Sequence, residues 1–79
     1  MNQNDAKKIF YDYMEKQKYY KKIKILSIDE KEKYFLFEFS EEDDDQPIDY
    51  PIIGVHKRNK SVRELSFINE DDVKIIYGK

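Results

Sequence analysis

Tyr34-Phe35-Leu36-Phe37-Glu38-Phe39 is the stretch on which the fold turns. Phe35, Phe37 and Phe39 alternate with Leu36 and Glu38, and a period of two places the three rings on one face of a β-strand. Three phenylalanines on one face need a cover and paired neighbours. Immediately upstream, Ile23, Ile25, Leu26 and Ile28 read as a second strand. Its apolar phase slips by one residue between Ile25 and Leu26, which predicts a bulge or burial on both faces. Asp29-Glu30-Lys31-Glu32 is a polar turn, so the two strands form an antiparallel hairpin.

The cover comes from the N-terminus. Ala6, Ile9, Phe10, Tyr13, Met14, Gln17 and Tyr20 follow the spacing of a helix with one apolar face, over roughly residues 4–19. Asn2 or Asn4 can cap it, and Asp5 in the first turn suits the positive end of the helix dipole. Lys16, Lys18, Lys21 and Lys22 gather at the opposite end, where cations are favoured.

Downstream of the aromatic strand, Glu41-Glu42-Asp43-Asp44-Asp45-Gln46-Pro47 cannot extend a sheet, because like charges repel and proline lacks a donor. Pro51 then confines the start of a third strand, Ile52-Ile53-Gly54-Val55-His56. Lys57-Arg58-Asn59-Lys60 is a turn in which Asn59 can take positive φ. Ser61 to Ser66 returns as the fourth strand. The tail reads two ways. Asn69 followed by Glu70, Asp71 and Asp72 is a helix start, with Val73, Ile76 and Tyr77 on one face before Gly78. Val73, Ile75 and Tyr77 also alternate as a strand would. A short helix is the preferred reading. The expected fold class is α+β: an N-terminal helix packed on one face of a four-stranded antiparallel meander, with a short C-terminal helix or strand, in a single small domain over 1–79 carrying an acidic loop at about 40–50.

A chain of 79 residues buries only about 60% of the surface it exposes when unfolded, so its stability is modest. It has no cysteine, hence no disulfide, which fits a reducing compartment. Its polar first residues lack the apolar run of a secretory signal, and no stretch is long and apolar enough for a membrane span. The expected setting is cytoplasmic, with no membrane partner.

Charge is nearly balanced, 15 basic against 17 acidic side chains, but it is segregated. Residues 7–24 hold seven lysines and two acids; residues 38–49 hold seven acids and no base. Lys57, Arg58, Lys60 and Arg63 restore positive charge. Separate patches of opposite sign steer charged partners.

No residue set carries a reaction. His56 stands without a second ligand or a positioned partner in sequence, which argues against both a metal site and a general base. Asp43, Asp44 and Asp45 are consecutive, without the spaced ligands and central glycine of a calcium loop. Lys33 to Phe39 resembles the aromatic strand of an RNA-recognition motif, yet the glycines of that motif are missing and the element order differs, so the rings are core. A glycine-rich phosphate loop and a nucleophile elbow are both absent. The expectation is therefore no enzyme, no cofactor and no metal.

Pro51-Ile52-Ile53-Gly54-Val55-His56-Lys57-Arg58-Asn59-Lys60-Ser61-Val62 resembles the "P-I-x-V-x-K-x-x-G-x-V" hairpin of the YrhB-type bacterial immunity proteins. Asp5-Ala6-Lys7-Lys8-Ile9 and Tyr34-Phe35-Leu36-Phe37-Glu38 look like that family's opening helix and second strand. The turn glycine is replaced around Asn59-Lys60, and Gly54 adds a residue to the strand. The helix-then-meander order also occurs in cystatin-like and propeptide-like domains. The resemblance implies a small protein that neutralises a cognate toxin, and it transfers no site residues.

The expected function is thus a non-enzymatic protein-binding module, a bacterial immunity protein holding a basic toxin or host enzyme against an acidic surface. Glu41, Glu42, Asp43, Asp44, Asp45 and Asp49 supply the charge, and an exposed Tyr50 the apolar anchor. One alternative is a phage or mobile-element inhibitor that mimics nucleic acid with the same acids. Another is a nucleic-acid binder using Lys18, Lys21, Lys22, Lys57, Arg58 and Lys60, disfavoured by the net charge of −2. An exposed sheet edge could pair two copies, so the expected state is monomer or dimer.

Overall fold

A computed structural model describes residues 1–17, 22–42 and 50–78. Helix α1 (Gln3–Gln17) precedes strands β1 (Ile23–Glu30), β2 (Tyr34–Glu41), β3 (Ile52–His56) and β4 (Val62–Leu65), and helix α2 (Glu70–Tyr77) closes the order. The strands form one antiparallel sheet in sequential order, β1-β2-β3-β4. This is the α+β meander expected from the sequence. The ambiguous tail is helical.

Alternation along β2 divides the sheet into two apolar faces. Phe35, Phe37 and Phe39, with Ile53 and Val55 of β3, meet Ala6, Phe10 and Met14 of α1. The Phe10 ring is fully buried, stacks on Phe37 at 4.6 Å and meets Phe39 edge-on at 5.9 Å. Leu36, Ile52 and Leu65 point the other way and pack under Ile76 of α2, with Tyr34 and Ile75 at the margin. Gly54 lies on this second face in unbroken register between Leu36 and Arg63. A Cβ there would stand 3.2 Å from Leu65 Cδ1, which keeps the layer thin beneath α2.

Both helices start on asparagine. Asn2 Oδ1 accepts from the Asp5 N–H at 2.9 Å, and Asn69 Oδ1 accepts from the N–H groups of Asp71 (2.9 Å) and Asp72 (3.2 Å). Each side chain satisfies donors that the first helical turn leaves unpaired. At the far end of α2 the Gly78 N–H donates to Lys74 O at 2.8 Å, where a Cβ would lie 2.4 Å from that oxygen.

Three local expectations are corrected. β1 runs on through Asp29 and Glu30, which pair with Leu36 and Phe35, so the first turn is Lys31–Lys33, closed by Lys31 N–H on Tyr34 O at 2.7 Å. Pairing with the buried Leu36 and Phe35 of β2 holds these acids in the ladder despite their turn propensity. In the second hairpin the residue with positive φ is Lys60 (φ 61°), not Asn59. The Asn59 side chain instead accepts from the Ser61 N–H at 2.9 Å, while Lys60 N–H donates to His56 O at 3.0 Å. That four-residue loop places its left-handed position last. Tyr77, grouped by sequence with the buried face of α2, is 74% exposed; the face that packs is Asp72 and Ile76, one turn apart.

Candidate functional site

The acidic segment between β2 and β3 is described only at its ends. Glu41 is not a loop residue: it closes β2, half-buried, opposite Ile23, and Glu42 N–H still donates to Lys22 O at 3.0 Å. The ladder to Lys22 and Ile23 carries both acids to the rim of the hairpin, with Glu42 exposed. Asp43, Asp44, Asp45 and Asp49 lie outside the described residues. Tyr50 is not an exposed anchor. It is half-buried, its ring 5.2 Å from Phe39 and packed against the first core cluster. Two apolar groups beside it, Phe39 and Pro51, favour burial over solvent.

The other candidate groups have structural partners. His56 Nδ1 accepts from the backbone N–H of Arg58 (3.1 Å) and Asn59 (3.3 Å), and its ring meets Tyr34 edge-on at 4.8 Å. It is the cap of the second hairpin. Lys57 pairs with Glu30 at 2.8 Å and stands 4.9 Å over the Phe35 ring, which ties the two hairpin tips together. Of the lysine set, Lys18 and Lys21 lie outside the described residues; Lys22, Arg58 and Lys60 are exposed. Among the described residues, no group of three or more His, Cys, Asp or Glu side chains is arranged to hold a metal ion, and no helix is long and apolar enough to cross a membrane.

What the sequence reading missed is apolar. The second sheet face is covered by α2 over Leu36, Ile52 and Leu65 but stays open around Leu26 and Glu38. There the ladder slips: Ile25 pairs with Phe39 and Ser27 with Glu38, leaving Leu26 as an extra residue. A bulge of this kind sets two consecutive residues against one. It turns Leu26 away from the α1 core, so that it lines a cavity of about 230 Å³ with Glu38, Phe39, Tyr50, Pro51, Ile52 and Phe67. Phe67 connects this cavity to Tyr77, their ring centroids 6.4 Å apart, and Ile68 follows Phe67 in the chain. These side chains are wet: Leu26 is 46% exposed, Phe67 59% and Ile68 95%.

The segment that presents Phe67 and Ile68 is held firmly. Asp72, 5% exposed in the first turn of α2, accepts from Arg63 Nη2 at 2.9 Å and from the Ser66 N–H at 3.1 Å. Ser66 Oγ in turn accepts from the Ile68 N–H at 3.1 Å. One carboxylate thus fastens α2 to β4 and fixes the turn between them. The sequence signal for this surface was slight: two adjacent apolar residues between Ser66 and Asn69, outside any helix or strand period, and the odd leucine at the phase slip.

Comparison of the chain with family models, with curated proteins and with solved structures gave no match.

Proposed function

We propose that this chain is a non-enzymatic module that binds another protein, of the toxin-neutralising immunity kind that its hairpin resembles, and that its partner is basic. The observation carrying this reading is the exposed apolar row Leu26, Phe67, Ile68 and Tyr77, in which Phe67 and Ile68 stand on a firmly pinned turn. Contiguous exposed apolar surface is retained on small proteins where a partner covers it, and aromatic side chains are frequent anchors in such contacts. Acidic residues stand at the cavity and beside the turn in the chain. Glu38 lines the cavity, and Glu70 and Asp71 follow Asn69 on the exposed start of α2. Glu41, Glu42 and the acids at 43, 44, 45 and 49 add negative charge to the same chain. Charge of one sign speeds encounter with a basic protein, and the apolar row then holds it.

The test is affinity capture of tagged protein from its native lysate at low and at high salt, alongside the variant Phe67→Ser/Ile68→Ser/Tyr77→Ser. One stoichiometric basic protein, retained by the wild type, lost from the variant and weakened by salt, is the expected result. Equal recovery by both proteins, or recovery of nucleic acid, overturns the reading.

A further inference from the structure

We infer that the cavity between Leu26, Glu38, Ile52 and Phe67 is a side-chain pocket that seats an apolar residue flanked by a lysine or arginine from the partner polypeptide. The inference rests on the protein-binding reading above and specifies the chemistry of the segment that binds.

Three observations carry it. The first is the bulge. An extra residue in a ladder interrupts pairing and bends the strand, and such irregularities commonly re-aim a side chain. Here the side chain gained is Leu26, and it is 46% exposed. The disruption therefore serves the open face more than the core. The second is size. At about 230 Å³, the cavity falls below the roughly 300–1,000 Å³ of ordinary small-molecule sites, and its walls are Leu26, Ile52, Phe67, Pro51 and the rings of Phe39 and Tyr50. It suits one aliphatic or aromatic side chain. The third is charge. Glu38 is the charged residue in that lining, exposed, with Oε2 accepting from Ser27 Oγ at 3.1 Å. No lysine or arginine among the described residues forms an ion pair with it. A carboxylate fixed beside an apolar hollow favours a cation delivered next to the inserted residue, and charge-assisted hydrogen bonds of this sort are about twice as strong as neutral ones.

The pocket is tested on the full-length ¹⁵N-labelled chain by amide chemical shifts, with two probes at millimolar concentration: the basic peptide acetyl-GKRLRKG-amide and its charge-reversed counterpart acetyl-GDELEDG-amide. The basic peptide is expected to move the amides of Leu26, Ser27, Glu38 and Phe67, and the acidic peptide to leave them in place. Glu38→Gln should weaken the basic peptide at least about fivefold, and Leu26→Ser should abolish the shifts. Both positions are exposed, so both variants keep the fold. Equal shifts from both peptides overturn the charge requirement. No movement at those four amides with either peptide overturns the pocket. Concentration-dependent shifts of the same amides without peptide overturn it in favour of a second copy of the chain. The reading of the chain as a protein binder fails separately: a partner captured through Phe67, Ile68 and Tyr77 but indifferent to Leu26→Ser removes the pocket alone.

Discussion

Asp72 shows how much of this molecule depends on a single side chain. Its two oxygens hold Arg63 and the Ser66 N–H from within a nearly buried position. Asp72→Ala removes the acceptor of both groups, and a hydrogen bond to a charged group contributes about 1.5–3 kcal/mol. Denaturant unfolding should show a loss of that size. Exchange of the Ile68 amide should accelerate as the turn loosens. Phe10→Ala removes a fully buried ring stacked on Phe37; large aromatic-to-alanine changes in cores cost about 3–5 kcal/mol, enough to unfold a domain of this size at ambient temperature. By contrast, Phe67→Ser and Ile68→Ser expose no core and should shift stability by about 0.5 kcal/mol or less, as a thermal melt would show. At this scale the sequence could not distinguish the roles. Tyr50 and Phe67 are both aromatic residues near turn signals. Only the packing of one on Phe39 and the exposure of the other separate support from surface.

The bulge in β1 belongs to the scale of elements. Its existence was legible, because the apolar phase of Ile23, Ile25, Leu26 and Ile28 cannot fit one face of an unbroken strand. Where it would aim Leu26 was not legible, since the strand opposite and the open part of the second face are set by the meander as a whole. Deleting Leu26 restores a regular ladder between Ile25 and the residue opposite Glu38. The shortened chain should fold with stability equal to or above the parent and bind its partner at least about tenfold more weakly, roughly 1.4 kcal/mol; a calorimetric titration against the captured partner measures it. Helix α1 over Gln3–Gln17 and the aromatic stretch of β2 match their reading because period and chemistry agree there; the expected helix end at 18–20 lies outside the described residues, and β2 runs on to Glu41. The tail was ambiguous because Val73, Ile75, Ile76 and Tyr77 satisfy both periods. What decided it lies in the structure: the Asn69 cap and the grip of Asp72 on Arg63 and Ser66 both require a helical first turn. The first turn was misplaced by two residues because Asp29 and Glu30 are turn formers that strand pairing overrode.

At the scale of the whole molecule, a four-stranded sheet has two faces to cover, and a chain of 79 residues covers them unequally. Helix α1, of 15 residues, seals the face bearing Phe35, Phe37 and Phe39. Helix α2, of 8 residues, covers Leu36, Ile52 and Leu65 on the other but leaves Leu26 and Glu38 exposed. The uncovered part is where Leu26, the cavity and Phe67 come together, so the proposed binding surface lies beyond the reach of the second helix. The hairpin tips at the other end of the sheet, joined by Lys57 and Glu30, carry the exposed Arg58 and Lys60 away from Glu41 and Glu42. The proposed partner covers the open part of the second face. Amide hydrogen exchange on the captured complex decides this. Protection gained at residues 25–27, at Glu38 and across 66–69 is expected; protection confined to α1 or to the hairpin tip at 57–60, with Leu26, Glu38 and 66–69 exchanging as in the free chain, rules that surface out.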